Sequence, residues 1–186
     1  MSQTGKTTGT EARHSKKNLE ILKTRAKELA EEHHEETVGE NAVEVLEFLL
    51  ASERYAVETG YIREVYPMRE YTSIPGTPTF VLGLVNIRGQ VLSVIDIRRF
   101  FDLPVKGLSD LNRVIVIATP KMEMGILADR IVGVHHIPQV EIQPSLPTLT
   151  GIRAEYLRGI TKDGLVVLDV SKMFKDSKLI VNEEVE

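Results

Sequence analysis

The sequence contains no cysteine and no tryptophan. Without cysteine there is no disulfide framework, no thiolate metal ligand and no thiol nucleophile, and a reducing cytoplasm is the expected compartment. Aromatics make up 5% of the 186 residues, so platforms for stacking bases or sugars are poorly supplied. Positive charge is in deficit too: 23 Lys and Arg stand against 27 Asp and Glu, a formal net of −4. A nucleic-acid partner or an anionic membrane surface calls for a basic field, so both are disfavoured. No run approaches the roughly 20 apolar residues that span a bilayer. Residues 1–17 lack the apolar segment of a secretory signal. The 42% of hydrophobic residues is enough for one domain, or for two small subdomains packed as one. Protein partners or a small ligand are the targets this composition leaves.

Along the chain, residues 1–10 are polar and expected to be disordered. From about Ser15 to Glu32, Leu19, Leu22, Ala26 and Leu29 recur at spacings of three, four and three. This predicts an amphipathic helix over 15–32 with Ser15 as N-cap. Two heptads are too few for a coiled coil. The helix either docks on its own domain, frays, or binds a partner. Residues 1–42 are therefore assigned as an N-terminal extension, 43–176 as the main domain and 177–186 as a tail. The domain is expected to stay folded without residues 1–41.

From Val43 the pattern is β almost throughout. VEVLEFLLA, YAVET, YIREVYP, QVLSVIDI, RVIVIAT, EMGILAD, IVGVHHI and LVVLDV are short, β-branched and bounded by breakers such as Pro67, Pro75-Gly76, Pro120 and Pro144. Strands joined by loops rather than long helices predict an all-β barrel or sandwich. A weak internal repeat refines this. Gly83 to Gly89, then Val91 to Ile97 around Asp96, then an aromatic stop at Phe101, is echoed by Gly159 to Gly164, Leu165 to Val170 around Asp169, and Phe174. Two similar small β subdomains are the simplest account. Short helical turns are expected at 98–101 and 171–174, with Asp96 and Asp169 as their caps.

At these residues the sequence resembles the CheW family of chemotaxis coupling proteins. Phe80 to Gly89 is similar to the family signature, an apolar residue and Gly followed by Asn, an apolar residue, Arg and Gly. Tyr55 to Val65, Met124 to Val134, Ile142-Gln143-Pro144 and Glu155 to Ile160 complete the likeness in order, over about Val43 to Phe174. Met124 to Val134 corresponds in it to a strand pair of the second half. The resemblance implies two side-by-side five-stranded SH3-like β-barrels. It also implies a noncatalytic adaptor without cofactor, joining the signalling tip of methyl-accepting chemoreceptors to the regulatory domain of the histidine kinase CheA. The residues that fall on family positions tied to receptor or kinase binding are Ile62, Glu64, Gly83, Arg88, Gly125, Ile131 and Val134.

Each of these residues also has a plainer reading. Arg88 either couples to a partner or braces its turn, and a planar five-donor fork suits both. Glu64 is expected to pair with it across the sheet. Ile62, Ile131 and Val134 either sit on an exposed edge or fill the core, while Gly83 and Gly125 either border a partner or permit close backbone approach. Gly89 is expected at positive φ.

His33-His34 and His135-His136 are adjacent pairs rather than the i, i+4 spacing of ligands, so no metal site is expected. His135 and His136 alternate faces of a strand, which would take one toward the core. No nucleophile elbow, phosphate loop or zinc-protease motif is present. Three other readings stay open: an adaptor of a related chemosensory pathway serving surface motility or gene regulation, a β-barrel binder of small ligands or oligonucleotides, and a hydrolase using Asp96 or Asp169. The second predicts an enclosed pocket or a basic aromatic groove; the third predicts close carboxylates in one cleft.

Overall fold

A computed structural model describes residues 41–105, 107–144, 152–176 and 179. The helix expected at 15–32 and His33-His34 lie outside them, as does the tail apart from Leu179. The described residues belong to one compact unit.

Among the described residues there are ten strands: β1 (Ala42–Leu50), β2 (Glu53–Glu58), β3 (Ile62–Pro67), β4 (Val81–Ile87), β5 (Gln90–Ile95), β6 (Arg113–Ala118), β7 (Glu123–Ala128), β8 (Arg130–Pro138), β9 (Leu157–Ile160) and β10 (Val166–Leu168). They form two five-stranded sheets, ordered β8-β1-β2-β10-β9 and β3-β6-β7-β5-β4. Short α-helical turns, α1 (Ile97–Phe100), α2 (Ile152–Glu155) and α3 (Val170–Met173), and 3-10 turns at Thr59–Tyr61 and Gln139–Glu141 punctuate them. The all-β, two-barrel architecture is as the sequence led us to expect. β4 and β9 are absent from the strand list read by pattern, because Gly83 and Gly159 interrupt their apolar alternation.

The sheets are copies of one topology in permuted order. β8, β9, β10, β1 and β2 take the places of β3, β4, β5, β6 and β7. Each sheet has three antiparallel pairings and one parallel pairing, β10 with β2 in the first and β5 with β7 in the second. The second barrel is continuous in sequence, whereas the first is assembled from both ends of the domain. One reading is corrected here: Met124 to Val134 is not a strand pair, because β7 and β8 belong to different sheets.

Each sheet closes on itself by the same device. Past β3 the chain curls back to Thr72, which exchanges two backbone hydrogen bonds of 2.8 Å with Leu84 of β4. Past β8, Gln143 does the same with Ile160 of β9, at 3.0 and 2.8 Å. The approach is tight enough to require glycine beside it. A Cβ on Gly83 would lie 2.2 Å from the Thr72 carbonyl oxygen, and one on Gly159 would lie 2.3 Å from that of Gln143.

Burial follows the period of two along strands. In β6, Val114 and Val116 fill the second barrel with Val85, Ile87, Leu92, Val94 and Leu127. Ile115 and Ile117 face the other way, into a larger core shared between the sheets with Phe48, Tyr55, Ile126, Leu168 and Met173. The first barrel holds a smaller set, Val45, Ala56, Ile137, Leu165 and Val167. Central strands covered on both faces therefore read as continuous apolar runs. Asp96 and Asp169 cap α1 and α3 with near-identical backbones (φ −100° and −98°, ψ 91° and 92°). The loss of either cap to Ala costs about 1 kcal/mol.

Candidate functional site

The family-signature segment is the β4–β5 hairpin. Ile87 pairs with Gln90, leaving a two-residue loop in which Arg88 (φ 52°) and Gly89 (φ 88°) both lie in the left-handed region. Such loops match the right-handed twist of the strands they join. The Asn86 side chain accepts a 2.8 Å hydrogen bond from the Gly89 amide, which fixes the turn. Arg88 is thereby held outward, 76% exposed, with Nη2 3.5 Å from Glu64 Oε2 on β3. The expected Glu64–Arg88 pair is present. It is exposed enough to contribute less than about 1 kcal/mol to stability.

Around it a polar seam closes this end of the second barrel. A bulge in β3 between Ile62 and Glu64 leaves Arg63 outside the ladder. Its guanidinium bonds Glu123 at the start of β7, and Gln90 at 3.1 Å. Gln90 in turn donates to Glu123 at 2.8 Å. The structure thus brings Ile62, Glu64 and Arg88 to one end of one barrel.

The other expected residues lie elsewhere. Ile131 and Val134 are on β8, at the edge of the first sheet. Ile131 packs against the shared core, while Val134 is 55% exposed beside exposed Val132. Gly83 and Gly125 are interior. A Cβ on Gly125 would lie 2.6 Å from Val114 Cγ1 and 2.9 Å from Val94 Cγ2, so each glycine serves close packing. Ile62 and Ile131 are equivalent under the permutation: each precedes a bulge, opposite Ile117 and Phe48 respectively.

The two histidines of β8 face opposite sides of the strand. His135 and His136 are 40% and 43% exposed and stand 3.5 Å from Glu47 and 3.8 Å from Glu44. His135 lies on the face of β8 that carries buried Ile137 and reaches the buried Glu47 carboxylate, whereas His136 faces out. The two do alternate, but the first stays partly exposed rather than entering the core. Asp96 and Asp169 cap separate turns. Asp96 is further bound by both ends of the Arg98 fork at 2.8 Å, leaving no free carboxylate pair of the hydrolase kind. Two grooves, of about 380 Å³ along Tyr66, Met68 and Ile87 and about 320 Å³ along Tyr71, Leu82 and Arg99, are open rather than enclosed.

Two polar networks escaped the sequence reading. Arg98 is 1% exposed; besides Asp96 it donates to Asp129 at 2.5 Å, and its guanidinium is held above its ordinary pKa by the hydrogen bonds to Asp96. Asp129 also accepts from the Ala51 amide (2.6 Å) and from Asn112 (3.2 Å). In the first barrel, Glu47 is 4% exposed at the place where the second barrel has Val116. It is clamped by Arg54 at 2.6 and 3.1 Å, and Arg54 also reaches Asp163 at 3.0 Å. The bond to Glu47, then that to Asp163, raises the Arg54 pKa, and a hydrogen bond from Thr161 lowers that of Asp163. A glutamate inside the apolar run of β1 was the available signal. For Arg98 it was a charge where the repeat has Ser171.

Comparison with known proteins agrees with this architecture. The profile of the CheW-like domain matches residues 44–178. The chemotaxis protein CheW of Treponema pallidum is 28% identical over 149 residues, covering 76% of this chain and 88% of that one. CheW of Helicobacter pylori is 29% identical, covering 83% and 98%, and FrzA of Myxococcus xanthus is 29% identical, covering 70% and 84%. The crystal structure of the scaffolding protein TtCheW from Thermoanaerobacter tengcongensis superposes with a TM-score of 0.65 at 27% identity, covering 73% of this chain and 94% of that one. With this fold and this hairpin signature, the chain belongs to the CheW-like family and is a noncatalytic adaptor of chemotaxis signalling.

Proposed function

We propose that this adaptor works in the cytoplasm and joins a chemoreceptor signalling tip to the regulatory domain of the histidine kinase CheA. Residues 43–176 form the working domain, and the extension before it is accessory. The observation that carries the reading is the Glu64–Arg88 pair, exposed and fixed on a rigid turn that bears the family signature. Ile62, Glu64 and Arg88 contribute contacts on the second barrel, and Ile131 and Val134 on the β8 edge of the first. Gly83 and Gly125 act indirectly, by keeping the barrel closed. Two surfaces on one scaffold raise the effective concentration of the partners and let the state of one bias the other. Among the described residues no helix is long and apolar enough to cross a membrane.

Titration of the full chain with a receptor-tip fragment and with the kinase regulatory domain tests the reading. Arg88→Glu is expected to weaken one of the two at least tenfold while leaving the melting temperature within a few degrees. Folded protein that binds neither fragment would overturn it.

A further inference from the structure

The chain passes between its sheets twice, at Thr59–Tyr61 on the way from β2 to β3 and at Asp129 on the way from β7 to β8. The permutation makes these passages equivalent, since Ile62 and Ile131 follow them at matching register. Each is gripped by the same position of a helical turn, the second residue after the capping aspartate: Arg98 in one copy, Ser171 in the other.

The grips differ in kind. Before β8, the buried Arg98 fork holds Asp129, and Asp129 also takes the amide of Ala51 in the β1–β2 turn and the side chain of Asn112. Three segments converge on one charged, desolvated centre. Before β3, one neutral contact of 2.8 Å joins the Tyr61 and Ser171 hydroxyls beside Gly60, and the Thr59 hydroxyl donates to the Glu44 carboxylate of β1 in an exposed contact that solvent weakens. Arg158 and Glu58 pair nearby, but they tie β9 to β2 within the first sheet rather than hold the passage. Charge-assisted bonds are about twice as strong as neutral ones, and a bidentate fork also fixes direction.

We propose that the two passages are an unequal pair of joints: the one before β8 is locked and the one before β3 is compliant, so that β3 and the Glu64–Arg88 pair can shift against a fixed first barrel. Arg98 and Tyr61 are positioning residues for the strands that follow them. The functional meaning rests on the reading that β3 and β8 carry partner contacts, but the joints themselves do not.

Residue-resolved hydrogen exchange on the full chain tests this without any partner, so its failure is distinct from failure of the binding titrations. In the unaltered protein the Ile62 amide, bonded to Thr59 within its own turn, is expected to exchange at least about tenfold faster than the Asp129 amide, bonded to Leu49. Tyr61→Phe should raise exchange at Ile62 about fivefold further and leave Asp129 unchanged, whereas Ser171→Thr, which keeps the hydroxyl, should preserve it. Arg98→Met should raise exchange at Ala51 and Asp129 by about a hundredfold or more, well beyond any change at Val94. Should that variant not fold, Asp129→Asn is expected to give the same local pattern in smaller degree. Equal protection of Ile62 and Asp129 in the unaltered protein would overturn the proposal. So would a Tyr61→Phe effect shared by both passages, or Arg98→Met and Asp129→Asn effects spread evenly over both barrels.

Discussion

Substituting alanine at three glycines should destabilise the protein in an order set by geometry alone. At Gly83 (φ +144°) two penalties combine. A Cβ 2.2 Å from the Thr72 oxygen must push the closing segment away, breaking both 2.8 Å bonds between Thr72 and Leu84. Two backbone bonds at about 1 kcal/mol each, plus about 1–3 kcal/mol for a non-glycine residue in that region of φ, give about 3–5 kcal/mol. At Gly159 the clash with the Gln143 oxygen is nearly as close, 2.3 Å, but the backbone is not left-handed. Only the bonds are lost, about 2 kcal/mol. At Gly89 a Cβ meets nothing within 4 Å, so the strain of φ +88° acts alone, about 1 kcal/mol. Urea unfolding with a common m-value would read these differences directly as shifts of midpoint. A Gly83→Ala midpoint shift no larger than that of Gly89→Ala would refute the idea that steric closure at Thr72 holds the second barrel together.

Arg54→Ala should cost about 2–4 kcal/mol, because it strands the buried Glu47 carboxylate without its fork; replacing Glu47 by Val, the residue at the equivalent place in the second barrel, should restore much of that loss in the same melts. Asp163 is held below its ordinary pKa, first by Thr161 and then by Arg54. Its contribution is therefore full above about pH 4 and is lost as pH falls through the depressed value, so Asp163→Asn should flatten the acid limb of stability against pH while leaving the neutral region nearly parallel. Removal of residues 1–41 should leave the melting transition of the β domain within a few degrees; a large fall would show that the extension is integral to the core.

The sequence disclosed what has a local cause. β-branched runs bounded by proline marked eight of the ten strands, and the echo of Asp96 in Asp169 announced two like barrels with capped turns at equivalent places. The signature from Gly83 to Gly89 put Arg88 on a turn and Glu64 opposite it. What stayed hidden depends on residues distant in the chain. Nothing near Arg98 in sequence says that Asp129 will meet it, or that Asn112 will bond Asp129 in turn. The pairing of β2 with β10 cannot be read locally at all. For that reason the repeat announced two like subdomains but not that the chain builds one barrel inside the other's span.

That interleaving imposes an order on biosynthesis. A nascent chain emerging amino-terminus first has everything the second barrel needs once β7 is made, since β3 to β7 are contiguous. β1 and β2 were made earlier, yet their neighbours β8 and β10 come last, so an apolar hairpin must wait beside a half-finished molecule. The shared core offers it a surface in the meantime: Leu46, Phe48 and Tyr55 can rest against Ile115, Ile117 and Ile126 before their own barrel exists. The large apolar seam between the barrels is thus the one surface of the early hairpin that can be covered before its own barrel is complete.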